Sequence, residues 1–428
     1  MMPMPRLGAA GVVIGAAVFA AQPARAQFLD QYFPQGVPGY ETGLGVTVQS
    51  RARSEYSTPD VRLGDVVMQP SATESVGYND NVLATSKGKG SVTVDTQAAL
   101  AAATDWSRNG LYTSFSVDNQ AYPSLPSQNQ TNWVASVGGT LDVGRDQLRV
   151  AFTHFNLNLS PSAIDTFGLQ APSPYQAEDV RASYRMEFGR ISVTPGIDFT
   201  SYSFSDGMIA GQSVSQAYLN RYVIQGSVAT RYEFAPQRDA VVVVSGYGTD
   251  FTQPQAFQPG TNNTGFAVLG GLEYTADGVF RYRALIGFEQ RTYTNPVYKG
   301  QGAVVGEATV IWTPTGLTTV TGSLSRSIQD STSSSTVGYT YTSGKVTVDH
   351  EYLRNVLLQG YADIQYADYQ QGGGNQTIYN AGGSASWLLN RNMRLVGSYD
   401  FTVGNVGAGA SGNNYRRNIY LLQVKLAL

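Results

Sequence analysis

The stretch Val279-Phe-Arg-Tyr-Arg-Ala-Leu-Ile-Gly-Phe-Glu-Gln-Arg-Thr-Tyr293 alternates between two residue classes at a spacing of two. Phe280, Tyr282, Ala284, Ile286 and Phe288 fall on one side, and Arg281, Arg283, Glu289 and Arg291 on the other. Only an extended strand separates them so, because successive side chains of a strand point to opposite faces. A soluble sandwich would interrupt such a strand with a turn much sooner. Here the pattern runs unbroken from Gly278 to Tyr293, and aromatics bound its apolar side. This predicts a tilted strand crossing a bilayer, its charged side facing a water-filled interior.

Composition decides whether that strand is one of many. With no Cys in 428 residues, a disulfide scaffold and a cysteine metal site are both excluded. Mean hydropathy is -0.18, and past the N-terminus no apolar run is long enough for a membrane helix. A membrane barrel escapes such averaging, because its apolar residues occupy every second position.

At the N-terminus Arg6 precedes the apolar run from Leu7 to Ala21, and Ala24-Arg25-Ala26 has the small-x-small form of a signal-peptidase site. Cleavage before Gln27 is the expectation, which places the protein beyond the inner membrane of a Gram-negative cell. Loss of Arg6 and Arg25 leaves 26 Lys and Arg against 31 Asp and Glu. That mildly acidic balance gives no sign of nucleic-acid binding. Residues 27–70 read as a periplasmic extension or a plug in the barrel mouth, because Phe33-Pro-Gln-Gly-Val-Pro-Gly39 is too rich in Pro and Gly for a long element. The barrel is expected over 71–428.

Three motifs in this opening carry a family resemblance: Ser50-Arg-Ala-Arg-Ser-Glu-Tyr56, Val61-Arg-Leu-Gly-Asp-Val-Val-Met-Gln-Pro-Ser71 and Gly77-Tyr-Asn-Asp-Asn-Val82. Together they resemble the start of the second group of outer-membrane beta-barrel porins. That family has an Arg-Pro-Glu-Tyr-like element, an Arg-(Leu/Val)-Gly-x-Phe element and a Tyr-Asp-(Asp/Asn)-Asn element. This chain departs at Ala52-Arg53-Ser54, where a proline stands in the family pattern, and at Asn79 for the first Asp. The resemblance implies a porin-like barrel, often encoded beside exopolysaccharide genes. It also implies periplasmic exopolysaccharide-export proteins as partners.

From Ala72 onward short and long connections alternate. The short ones are Trp106–Gly110, Val143–Asp146, Phe188–Arg190, Ala235–Asp239, Ala276–Gly278, Pro314–Gly316, Leu353–Asn355 and Asn390–Asn392, each with Gly, Asn, Asp or Pro where a tight turn needs it. This is the asymmetry of an outer-membrane barrel, with tight periplasmic turns and longer outside loops. The fold class is therefore all-β, a transmembrane antiparallel up-and-down barrel of about eighteen strands. A count of sixteen would require merging a hairpin near Ala72 to Leu100, and Ser343-Gly344 is a candidate bulge or kink. At the C-terminus Tyr420, Leu422, Val424, Leu426 and Leu428 share one face. Such a strand resembles the signal read by the barrel-assembly machinery, and its outer face would meet outer-membrane lipid.

Parity then assigns the lumen. Arg181, Arg185, Arg221, Arg231, Arg281, Arg283 and Arg291 face inward with Glu187, Glu233, Glu273, Glu289 and Glu307; so do Lys345, Asp349, Glu351, Asp363, Arg394, Asp400 and Lys425. Two readings stay open: a constriction that attracts anionic or hydroxyl-rich solutes, or charges that neutralise one another and keep the barrel wet. Tyr112, Tyr202, Tyr293 and Tyr361 are candidate sugar-stacking surfaces. The loop from Leu159 to Gln176 is the best candidate for folding into the channel. No cofactor or metal is expected, since no ligand cluster or phosphate-cradling loop appears. Catalysis has little footing either, because His154 and His350 lack a serine ready on the same face. The expected function is a passive channel for small hydrophilic solutes; the alternative is a component of exopolysaccharide secretion or surface assembly.

Overall fold

A computed structural model describes residue 29 and residues 46–428, apart from 167, 210, 254–258, 276, 333–335, 371–372 and 411. The leader, Gln27, Phe28, residues 30–45, Ala276 of its turn, and parts of several outside loops lie outside the described residues. The strands follow the period-two segments. β1 (Val61–Leu63) folds back on β2 (Val66–Asn79), which is followed by β3 (Ser91–Thr104), β4 (Gly110–Ala121), β5 (Gln130–Val143), β6 (Asp146–Leu159), β7 (Ser173–Phe188) and β8 (Ile191–Phe204). A small hairpin, β9 (Gly207–Ile209) and β10 (Gln212–Val214), decorates the next loop. The wall continues with β11 (Arg221–Ala235), β12 (Arg238–Phe251), β13 (Asn263–Tyr274), β14 (Phe280–Tyr293), β15 (Gln301–Thr315) and β16 (Thr318–Asp330). It ends with β17 (Gly338–Leu353), β18 (Val356–Tyr369), β19 (Asn375–Leu388), β20 (Met393–Val406) and β21 (Tyr415–Ala427).

Each long strand pairs antiparallel with the next, and β2 pairs with both β3 and β21, so eighteen strands close into a cylinder. Closure removes the sheet edge that would otherwise template aggregation. Two parts of the opening motifs secure the seam. Gly77 stands where an added Cβ would come within 1.9 Å of the Tyr420 carbonyl oxygen, so only glycine lets β2 approach β21. Just beyond, the Asp80 carboxylate accepts hydrogen bonds from the Asn418 backbone N–H (2.7 Å) and side-chain amide (2.6 Å).

The barrel begins at Val66, earlier than the sequence boundary at residue 71, because Val61-Arg-Leu-Gly turns at Gly64 (φ +60°) and returns as a hairpin. Ser343 and Gly344, a candidate kink, pass straight through. Both neighbouring ladders stay in register there, and the shift on β17 lies instead between Glu351 and Leu353, beside the turn to β18.

Side chains divide as the parity requires. On β14 Ile286 is 68% exposed while its neighbour Leu285 is 4% exposed. Rings pair across strands on the outer surface, as Phe199 with Tyr222 (5.9 Å), Tyr274 with Tyr282 (5.5 Å) and Tyr399 with Tyr420 (5.0 Å). An arginine at Ile286 is expected to cost roughly 2–4 kcal/mol, since it would enter the lipid near the bilayer midplane. Urea unfolding from lipid vesicles measures this; an unchanged stability would remove the outward assignment.

Candidate functional site

The lumen wall from β7 to β15 carries the charges that parity placed inside, and most of them meet one another. Arg181 Nε lies 2.7 Å from Asp179 and 3.2 Å from Asp198, and Arg185 lies 2.5 Å from Glu187. Further round, Glu273 receives Arg231 at 2.9 Å and Arg283 at 3.8 Å, while Arg283 also reaches Glu307 at 3.0 Å. Arg291, fully buried, binds Asp330 at 2.6 Å and donates to the Tyr247 hydroxyl at 3.0 Å, which in turn donates to Glu289 at 2.7 Å. Arg221 lies over the Tyr202 ring at 4.4 Å, and Glu233 accepts the Gln237 backbone N–H. Charges that share a wall at alternate positions come within pairing distance because adjacent strands stand about 4.8 Å apart. The arrangement keeps the wall polar while cancelling most of its field.

The tyrosines divide similarly. Tyr202 has the Arg221 guanidinium on its face, and Tyr361 has Lys345 at 5.1 Å from its ring centre while its hydroxyl donates to Asp400. Tyr293 is buried, edge-on to Tyr298, and Tyr112 packs over Gly110. On the lipid side His154 Nδ1 lies 3.8 Å from Glu178, whose register partner on β8 is Ser201. The carboxylate thus stands between imidazole and hydroxyl, an order that cannot deprotonate the serine through the histidine.

Two elements fold into the outer mouth. The first is the loop 160–172, the one singled out in the sequence, which crosses from β6 and β7 to the opposite wall. Its Ile164 enters an apolar pocket of Tyr339, Ala367, Tyr369 and Ile378. The Asp165 carboxylate, fully buried, accepts from the Ser331 hydroxyl (2.8 Å) and the Thr332 N–H (2.6 Å), and its own N–H donates to Gln376 (2.9 Å). Burial pushes the Asp165 carboxyl up to about 7, although the donors from Thr332 and Ser331 pull it down. Near the loop's start, Ser162 takes a hydrogen bond from Tyr415 on its carbonyl and one from Arg417 on its hydroxyl.

The second is the end of the β16–β17 hairpin. β15 and β16 pair only as far as Gly306 opposite Arg326, although both strands continue, each paired on its other side. Beyond that point β14 side chains take the place of the missing rungs. Glu289 accepts from the Ile328 N–H (3.3 Å), Arg291 donates to the Ile328 carbonyl (3.1 Å), and Asp330 also receives Asn263 of β13 (3.2 Å). On the β15 side Arg326 Nε donates to the Val304 carbonyl (3.1 Å), which would otherwise lack a partner. The hairpin end has therefore leaned inside β15, toward the loop that carries Asp165. Periodicity gives no facing for loop residues, so Asp165 could not be found from the sequence; the apolar-inward end of β6, Phe155, Leu157 and Leu159, was a legible sign of packing inside the lumen.

Residues 46–53, which run into the first opening motif, occupy the periplasmic mouth. Val48 is buried against Leu357 and Leu388, its N–H donating to Thr319, and the Val46 carbonyl accepts from Arg281 (3.1 Å). Arg51 and Arg53 converge on Glu351 at 2.5 and 2.9 Å. Toward the other end Leu29, with 0% exposure, sits on the inner wall among Phe155, Leu157, Tyr175 and Val223.

Residues 54–428 match the family model described as Putative beta-barrel porin 2. No curated protein matches the chain. Among solved structures, Pseudomonas aeruginosa OccK2 (OpdF) aligns at 10% identity over 86% of this chain and 99% of that one, with a TM-score of 0.46. Acinetobacter baumannii OccAB3 aligns at 7% identity over 86% and 100%, with a TM-score of 0.44. A BenF-like porin from Pseudomonas fluorescens Pf-5 aligns at 10% identity over 86% and 100%, at 0.45.

Proposed function

The chain belongs to that beta-barrel porin family, and on that premise we propose that it is an outer-membrane channel for passive passage of small hydrophilic solutes. The observation that carries the reading is the inner wall itself: a closed cylinder lined with charged side chains that mostly compensate one another. Polar lumens conduct because entering solutes exchange bulk water for a wet surface at little cost. Residues 27–70 act in this reading as a partial plug, supported by Leu29 on the inner wall and by Val48, Arg51 and Arg53 at the periplasmic end. An extended polysaccharide strand would need this segment and the loop 160–172 withdrawn together, which favours small solutes.

Planar-bilayer recording tests both parts. Full-length mature protein is expected to conduct, and a form lacking residues 27–61 to conduct more. Silence from both forms would sink the channel, and equal conductance would sink the plug.

A further inference from the structure

On the β7–β15 wall Arg181, Arg185, Arg231, Arg283 and Arg291 meet carboxylates, whereas a cationic pair across the lumen meets none among the described residues. Arg394 on β20 stands directly opposite Lys425 on β21, and both side chains point inward at the periplasmic end. Like charges placed directly across two strands are destabilising. Among the described residues no carboxylate lies within ion-pair distance of either, and neither appears in a side-chain hydrogen bond. Arg53 of the opening motif adds a third positive charge, near enough to repel Arg394, while its own guanidinium is anchored on Glu351 and the Val48 carbonyl. The register partner of Lys425 on β2 is Thr73, whose hydroxyl is neutral. Both cations are half-buried and so remain reachable from lumen water.

We propose that Arg394 and Lys425, flanked by Arg53, form a binding site for an oxyanion, the carboxylate or phosphate group of a solute in transit. A planar guanidinium fork matches two oxygens of such a group, and an ammonium beside it supplies a point charge from another direction. The wall opposite has most of its charges paired, so an anion in the lumen is drawn to this side. The site deepens the channel reading and rests on it for the meaning of transit, though binding itself does not require conduction.

Titration calorimetry on the detergent-solubilised full mature chain, with inorganic phosphate and separately with acetate as probes, tests the site. Wild type is expected to bind at least one probe, and which one it prefers assigns the ligand class. Arg394→Gln with Lys425→Gln is expected to weaken binding at least tenfold, whereas Lys425→Arg keeps it within about twofold, since the charge is retained. Heat-modifiable mobility checks that each variant is a folded barrel. No binding by wild type, or equal binding by the double glutamine variant, would overturn the site. In bilayers under a KCl gradient, wild type is expected to favour chloride and the double variant to lose that preference. Conduction with unchanged selectivity in the variant counts against the site and leaves the channel standing. Phosphate binding without any conductance removes the channel and leaves the site.

Discussion

Replacing Arg291 with alanine is expected to cost about 3–5 kcal/mol of barrel stability, the penalty for removing one partner of a buried ion pair and leaving the other uncompensated. The residue is wholly buried, and its guanidinium holds Asp330, the Tyr247 hydroxyl and the Ile328 carbonyl together. Without it Glu289 and Asp330 would face each other with no positive charge between them. Equilibrium unfolding in urea from lipid vesicles reads the loss; a change under about 1 kcal/mol would equal that of an exposed pair and refute the buried network. The same exchange frees the β16 end, so the missing rungs with β15 can form. Cysteines at Val305 and Ser327, which are not paired in the structure, are then expected to cross-link readily in the alanine background, because a formed rung brings their Cα atoms to about 5 Å. Equal cross-linking with Arg291 in place would show that the hairpin does not lean inward.

Acidity is expected to tighten the outer mouth. With the loop 160–172 docked, Asp165 holds its proton up to about pH 7, whereas a solvated aspartate releases it near 3.9. The docked state therefore binds the proton more tightly. Docking is fully supported below about pH 4, weakens as the pH rises toward 7, and changes little above that, a swing of about 4 kcal/mol at 1.36 kcal/mol per unit. Among the described residues the other ionisable groups close enough to act on Asp165 are the phenols of Tyr218, Tyr339 and Tyr369. None of these ordinarily ionises in that window. Channel current is expected to fall between pH 7.5 and pH 5, and Asp165→Asn to flatten the dependence, because an amide does not titrate there. A variant as pH-sensitive as wild type would assign the effect elsewhere.

The strand rhythm was legible because lipid outside and water inside force a period of two, and because the turns at Val143–Asp146 and Phe188–Arg190 need residues that tolerate tight geometry. The facing of Arg281, Arg283, Glu289 and Arg291 followed from the same constraint. What those arginines touch did not, since a partner two strands away, such as Asp330 for Arg291, depends on the stagger between strands, which parity leaves open. For the same reason the glutamates and arginines of β7–β15 could be read equally as a solute trap or as a self-neutralising wall until their distances were known.

The sequence by itself determined the closed barrel and the side each strand residue faces, because both follow from local alternation and connection length, and it marked the loop after β6 as a candidate to turn inward. Only the tertiary structure decided that β16 leans away from β15, that Asp165 is sealed beneath the outer mouth, and that no acid among the described residues pairs with Arg394 or Lys425. Those facts depend on contacts between segments separated by tens of residues to about two hundred, and no spacing along a chain encodes which distant carboxylate a cation will meet.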